Sequence, residues 1–382
     1  MRETVQLLRA LDELDATQQQ AVLATVVKVE GSAYRRPGAR MLIPPIGGAV
    51  GTVSGGCLEG DLIKKAWWLT ELGEPVLRTY STGVGVDAAD EEEELAFGLG
   101  CNGTVHILLE RVRGGQTPLP LSLLRHVQAS GAPAVLATVI ASSDDSVRLA
   151  ERAALDPTGK LHLTLRQAAL TRALEADLQS VRQRQSPALQ RYRLAGGEVE
   201  VLFEYLTPPR RLVVFGAGHD AQPLVSLARQ QAWQVAVIDA RRHFARRERF
   251  PEANQVLHLG IDQDHDLAAL LESAAVVVMS HSYSQDRHWL ERALRLRPSY
   301  IGQLGPRSRT ERLLDEIGPI SRHLPAYARL HYPMGLDIGG DAPESVALSV
   351  LAEITAHFNG RAGGMLMARE APIHDSVPAL HG

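Results

Sequence analysis

Leu212-Val-Val-Phe215 is a short apolar run of the kind that makes a buried strand, and Gly216-Ala-Gly-His-Asp-Ala221 follows it directly, opening a helical pattern over 221–231. A chain that passes from strand to helix on two glycines has few folds open to it. Gly216 suits the tight turn, Gly218 the close approach of a pyrophosphate, and Ala221 tight helix–strand packing. The helix N-terminus adds free N–H groups and a partial positive charge. Asp239 ends the next strand-like run about twenty residues on, where a ribose-binding carboxylate is expected. Strand-like runs at 235–238, 256–259, 275–279 and 300–303, with a weaker one at 329–332, alternate with helical patterns at 267–273, 286–296 and 308–316. This rhythm predicts an α/β, Rossmann-like, doubly wound parallel sheet over 210–359, closed by an amphipathic helix at Ala342–Phe358. Residues 360–382 lack periodicity and are expected to form a flexible tail.

Pro208 and Pro209 cannot donate to a strand ladder, and they set a boundary after Leu206. The first 206 residues read as a separate mixed α/β domain. Leu7, Leu11 and Leu14 share one helical face, Ala21–Val29 and Arg40–Ile43 are strand-like, Leu58–Leu72 is helical, and Thr104–Glu110 alternates as a strand. Ala21-Val-Leu-Ala-Thr-Val26 recurs letter for letter at Ala134–Val139, and Ile107-Leu-Leu-Glu110 is echoed by Val201-Leu-Phe-Glu204. The pattern is compatible with a partial internal repeat of 21–112 in 134–206, and equally with chance. Both cysteines and the glycine-rich loops of this half fall in the first copy.

Several function classes are excluded by composition. Across 382 residues, 45% hydrophobic and 22% charged residues describe a globular chain, and a net charge of -4 argues against a dedicated nucleic-acid binder. Two cysteines are too few for a disulfide scaffold or a four-cysteine zinc site. The apolar run Ala132–Ala141 falls well short of the ~18 residues of a membrane helix. The first residues read as an amphipathic helix rather than a signal peptide, so a cytoplasmic protein is expected.

The remaining unusual stretches are loops. His281 and Asp286 follow the strand-like run 275–279, where a histidine can contact a ligand or act as a base, or simply join a polar loop. Gly302 and Gly305 leave the next strand, and Gly335–Gly340 precedes the last helix; both stretches suit a backbone that approaches a ligand. Arg35, Arg36 and Arg40 lie on one glycine- and proline-bounded loop, and their forks suit phosphate or carboxylate unless the loop is merely solvated. Cys57 sits on the glycine turn Thr52-Val-Ser-Gly-Gly-Cys-Leu-Glu-Gly-Asp61 at a helix start, where unpaired N–H groups favour thiolate. Cys101 occupies a second glycine turn, Phe97–Gly103. Asp90–Glu94 reads as a solvated acidic run.

Taken together, GSAYRRPGARMLI, GTVSGGCLEGDL, FGLGCNG, VVFGAGH, VIDAR, SHSYSQD, YIGQLG and GLDIGGDAPESVALSVLAEI resemble the xanthine dehydrogenase accessory protein family, the XdhC/CoxI group, in order and over about residues 20 to 358. One departure is Asn102, where the family usually has glycine. The resemblance implies a maturation factor that binds the molybdenum cofactor (molybdopterin or its nucleotide form), supports sulfuration with a cysteine desulfurase, and delivers the product to a xanthine dehydrogenase-type hydroxylase. On that reading Gly55, Gly56, Glu59, Arg35, Arg36, Arg40, Gly216, Gly218, Asp239, Gly302 and Gly305 contact the cofactor. Cys57, Cys101 and His281 carry its chemistry, Cys57 as a metal contact. A homodimer is compatible. The alternatives are an NAD-dependent oxidoreductase with Asp239 on the ribose and His281 as acid or base, and an adaptor with an empty crevice. Charge repulsion from Asp239 is expected to disfavour NADP despite Arg241 and Arg242.

Overall fold

The computed structural model describes residues 2–31, 33–56, 58–81, 103–370, 373 and 377–380, so Cys57, Cys101, Asn102 and the run Asp90–Glu94 lie outside the described residues. The chain divides into two compact units, one built on Glu3–Pro208 and the other on Pro209–Glu370. Among the described residues no helix is long and apolar enough to cross a membrane.

The N-terminal unit runs twice through the order helix, three strands, helix, two strands. The first pass is α1 (Arg2–Thr17), β1 (Gln20–Gly31), β2 (Arg40–Ile43), β3 (Val50–Gly51), α2 (Glu59–Leu69), β4 (Val76–Ser81) and β5 (Gly103–Arg113). The second is α3 (Leu119–Ser130), β6 (Ala134–Ser142), β7 (Arg152–Leu155), β8 (Leu161–Leu163), α4 (Ala168–Arg184), β9 (Ala188–Leu194) and β10 (Gly197–Leu206). The two sheets have the same strand order, β3-β2-β1-β5-β4 and β8-β7-β6-β10-β9. Even the registers correspond: Thr25 faces Arg40 as Thr138 faces Arg152, and Leu23 faces Glu110 as Leu136 faces Glu204.

Each sheet buries one face under its own helix, through Leu62 and Ala66 of α2 and through Leu170, Leu174, Leu178 and Val181 of α4. The other faces meet in a small cluster of Val27, Leu108, Ile140 and Leu202. Two reciprocal ion pairs flank it. Arg40 donates to both carboxylate oxygens of Glu204 at 2.8 Å, and Arg152 donates to Glu110 at 2.9 and 2.5 Å. In both arginines Nε is buried without a partner among the described residues. The pairs therefore face inward and tie each half of the unit to the other.

The C-terminal unit comprises β11 (Arg211–Phe215), α5 (Ala221–Gln230), β12 (Gln234–Asp239), β13 (Gln255–His258), α6 (Ala268–Leu271), β14 (Ala275–Val278), α7 (Tyr283–Arg295), β15 (Tyr300–Gln303), α8 (Arg307–Ile317), β16 (Leu330–His331) and α9 (Pro343–Phe358). Its sheet is parallel throughout, in the order β13-β12-β11-β14-β15-β16. That is the doubly wound order with its switch point between β11 and β14. Both faces are apolar: Leu224, Val225, Val350 and Ile354 of α5 and α9 cover one, and Trp289, Leu290, Leu313 and Leu314 of α7 and α8 the other. The Rossmann-like sheet and the mixed N-terminal domain are as the sequence predicts.

Near the end of the chain, Pro378 and Leu380 are anchored rather than loose. Leu380 is buried in the N-terminal unit's second core, Leu189 donates its N–H to Pro378 at 3.0 Å, and Arg184 donates to the Leu380 carbonyl at 3.2 Å. β9 is an edge strand, and its unpaired backbone groups hold this short segment in place.

Candidate functional site

Two loop clusters answer to the candidate residues, one in each unit. In the N-terminal unit the register sends three segments out of one end of the first sheet. β2 begins at Arg40 opposite Thr25, Gly51 of β3 lies opposite Met41, and Gly103 of β5 lies opposite Gly31. The arginine loop and the glycine turn consequently meet. A Cβ on Gly55 (φ +110°) would stand 2.7 Å from Tyr34 Cδ1, so the Tyr34 ring covers that glycine. A Cβ on Gly56 (φ +123°) would meet nothing within 4 Å among the described residues, which leave Gly56 as an open point of backbone approach.

The turn is shaped by Glu59. Its carboxylate accepts the backbone N–H groups of Val53 (3.1 Å), Ser54 (3.0 Å), Gly55 (3.2 Å) and Gly56 (2.9 Å), together with the hydroxyls of Thr52 and Ser54. Successive N–H groups of this kind form an anion-binding nest, and here the chain fills it with its own carboxylate. Burial opposes ionisation of Glu59, but the Ser54 and Thr52 hydroxyls and the Ser54 N–H outweigh it and hold the carboxyl well below the usual range. The residue is saturated, so it shapes the turn rather than reaching for a ligand. The N–H groups of residues 53–56 are thereby spent on Glu59.

A depressed folded pKa means that the Glu59 contribution is present above the unfolded carboxyl pKa of ~4.3 and is lost as pH falls through the folded value. Glu59→Gln turns an amide donor toward a ring of donors, at a cost of about 1–3 kcal/mol. Urea denaturation at pH 7 is expected to show that loss, and the difference between variant and wild type should shrink as the pH is lowered below the ordinary carboxylate range.

The arginines divide. Arg40 is a β2 residue, buried and committed to Glu204, with a further bond from Nη1 to the Gly38 carbonyl at 2.8 Å. It is a structural cation, which removes it from the phosphate-binding set. Arg35 pairs with Glu3 of α1, and Arg36 is exposed on the loop.

In the C-terminal unit the crevice lies at the switch point. Gly216 (φ +124°) packs against backbone, since a Cβ would stand 2.5 Å from the Met279 carbonyl group. Gly216→Ala is thus expected to destabilise this unit by at least the ~1–3 kcal/mol of a strained left-handed residue, measurable as a lowered denaturation midpoint. Gly218 is close to a carboxylate: a Cβ there would lie 2.4 Å from Asp220 Oδ1. Asp220, at the start of α5, is in turn 2.7 Å from His281 Nε2, and His281 holds a left-handed φ of +58°. This His–Asp pair bridges the two loops that flank the switch point. Asp220 is not legible as a site residue in the sequence, because an acid after GAGH has the look of an ordinary helix-start residue.

Asp239 is fully buried, and its four acceptor positions are taken. Ala217 N–H donates at 2.8 Å, and Arg241 donates its backbone N–H (2.8 Å), Nε (2.9 Å) and Nη2 (2.8 Å). Burial opposes ionisation, but the Arg241 side chain and the two N–H groups prevail and lower the Asp239 pKa. No acceptor capacity remains for a ribose diol, and the charge expected to repel a 2′-phosphate is neutralised at source. Gly302 is buried in β15, where a Cβ would meet Met334 Sδ at 2.7 Å; it is a packing glycine. Gly305 (φ +112°) lies beside Arg309. Asp286 is buried beneath the crevice, held by Ser280 at 2.5 Å and by Arg309 at 2.7 Å.

Comparison with known proteins places both clusters in one family. Residues 14–81 match the XdhC and CoxI family model, and residues 212–354 match the XdhC Rossmann domain. The chain is 32% identical over 345 residues to a Bacillus subtilis protein described as a probable component of xanthine dehydrogenase, covering 90% of this chain and 95% of that protein. It belongs to the XdhC and CoxI family. A second relative, the molybdenum cofactor insertion chaperone PaoD of Escherichia coli, is 27% identical over 339 residues, covering 88% of this chain and 83% of PaoD. A crystal structure described as a xanthine dehydrogenase from Bacillus halodurans superposes with a TM-score of 0.70 at 26% identity, covering 95% of this chain and 98% of the other. The XdhC and CoxI matches take in the arginine loop, the glycine turn and the switch-point crevice, whereas the second sheet of the N-terminal unit lies between them.

Proposed function

We propose that this chain is an accessory protein for a xanthine dehydrogenase-type molybdenum hydroxylase, carrying the molybdenum cofactor as cargo, supporting its sulfuration and delivering it to the apo-enzyme. One observation carries the reading: the arginine loop and the glycine turn converge at one end of the first sheet, while the second sheet, of identical strand order, has neither. Arg35 and Arg36 supply positive charge for the cofactor's phosphate, Gly56 gives open backbone, and Cys57, next in sequence, offers a soft thiolate donor suited to molybdenum or sulfur. The cytoplasm, where thiols stay reduced, suits such a cysteine. A cysteine desulfurase is the sulfur source on this reading, and Cys101 and His281 are secondary contacts. The names of the two relatives, a cofactor insertion chaperone and a dehydrogenase component, support it. An NAD-dependent oxidoreductase finds less support, because Asp239 is spent on Arg241. The test is reconstitution: protein purified from a molybdenum-replete host is added to cofactor-free hydroxylase, and activity is expected to appear in proportion to the protein supplied. No activity above that given by free cofactor at the same concentration would refute delivery.

A further inference from the structure

We propose that the crevice of the C-terminal unit receives a phosphate monoester at the end of β12, on Arg242 and Arg249, in place of a dinucleotide pyrophosphate on its glycine turn. Three observations converge on that position. First, the usual anion seat is covered: the Asp220 carboxylate stands over Gly218 and is held there by His281 at 2.7 Å. A negative group at the N-terminus of α5 repels a second anion. Second, the usual ribose seat is closed, because Asp239 already accepts four hydrogen bonds.

Third, the segment after β12 concentrates positive charge. Residues 241–249 hold Arg241, Arg242, Arg246, Arg247 and Arg249 against the single acid Glu248. Most of these guanidiniums are committed. Arg241 serves Asp239, Arg246 Nε donates to the His243 carbonyl at 3.0 Å, and Arg247 Nη2 to the Pro251 carbonyl at 3.2 Å. Arg242 is exposed and has no acceptor among the described residues. Arg249 packs over the Phe244 ring, 4.7 Å from its centroid, while Arg241 lies 4.1 Å from the same centroid. The Arg249 Nη2 is shut off from solvent and has no hydrogen-bond partner among the described residues. The rest of the fork is given no acceptor by the described residues either, so an anion that reaches this part-exposed side chain meets a guanidinium not already committed. The Arg249 carbonyl accepts from Gln222 Nε2 at 3.1 Å, which fixes the backbone of this arginine beside the first turn of α5.

The ligand class is a phosphate monoester, whose dianion matches two guanidiniums; a phosphodiester offers one charge and a sugar diol none. Such a group can be a nucleotide 2′-phosphate or the terminal phosphate of another ester. Titration calorimetry on the purified full chain, in phosphate-free buffer and without hydroxylase or molybdenum, tests this independently of the carrier reading. NADP and NAD differ only by one such phosphate, and inorganic phosphate is the third probe. NADP is expected to bind at least about tenfold more tightly than NAD. That margin should vanish in Arg242→Ala/Arg249→Gln, and should narrow in Arg242→Ala, which removes no packing. If inorganic phosphate binds and the variants lose it while NADP and NAD remain equal, the monoester site stands and its source is not a 2′-phosphate. Absence of phosphate-dependent binding, or binding unchanged in both variants, overturns the proposal.

Discussion

Glu204→Ala is expected to destabilise the N-terminal unit by about 3–5 kcal/mol, because it strands a charged Arg40 in the interior. A fall of this size should appear as a lowered urea midpoint with little change in slope. Replacing both partners with apolar residues, Arg40→Met with Glu204→Leu, removes the buried charge altogether and should recover most of the loss. The related change Glu110→Ala should cost less, since the Glu110 side chain is 15% exposed against 7% for Glu204. A loss below ~1 kcal/mol for Glu204→Ala would class the pair with ordinary surface bridges. The prediction also bears on function: an Arg40 variant that binds cofactor poorly would report a weakened scaffold, so Arg35 and Arg36 are the arginines to test for phosphate binding.

The second large effect is on delivery. Cys57→Ser is expected to lower the yield of active, sulfurated centres in a reconstituted hydroxylase by about 10–100-fold or more, since losing even an outer partner of a metal costs that much. Cys101→Ser should lower it less, because its neighbour Asn102 departs from the family's glycine and the segment precedes no helix in the sequence. Far-UV circular dichroism should be unchanged in both. Equal delivery by both variants and the wild type would make the two thiols packing residues and end the sulfur-carrying role.

What can be read from the sequence is local. The doubly wound sheet is visible because branched runs such as Leu212–Phe215 and Ala275–Val278 alternate with helices, and because Gly216-Ala-Gly sits at the one turn that needs it. Contacts between distant residues are hidden. Arg40 reads as a loop arginine until β2 is seen to carry it inward to Glu204, more than a hundred and fifty residues away. Asp239 has the spacing of a ribose acid, yet Arg241 two residues on folds back and saturates it. Leu380 lies in a stretch without periodicity and is held by the edge of β9, which no pattern in the stretch itself announces. The six repeated letters of Ala21–Val26 and Ala134–Val139 are legible, whereas the reciprocal ion pairs between the two sheets are not.

The cargo itself is the most direct test of the carrier account. Protein isolated from a molybdenum-replete host should be assayed for molybdenum by mass spectrometry and for the fluorescent oxidation product of the pterin, each per chain. The account predicts pterin and molybdenum together, approaching one of each per chain, and a sharp fall of both in an Arg35→Ala/Arg36→Ala variant that remains folded. Pterin and molybdenum no higher than in an unrelated protein purified from the same cells would contradict it.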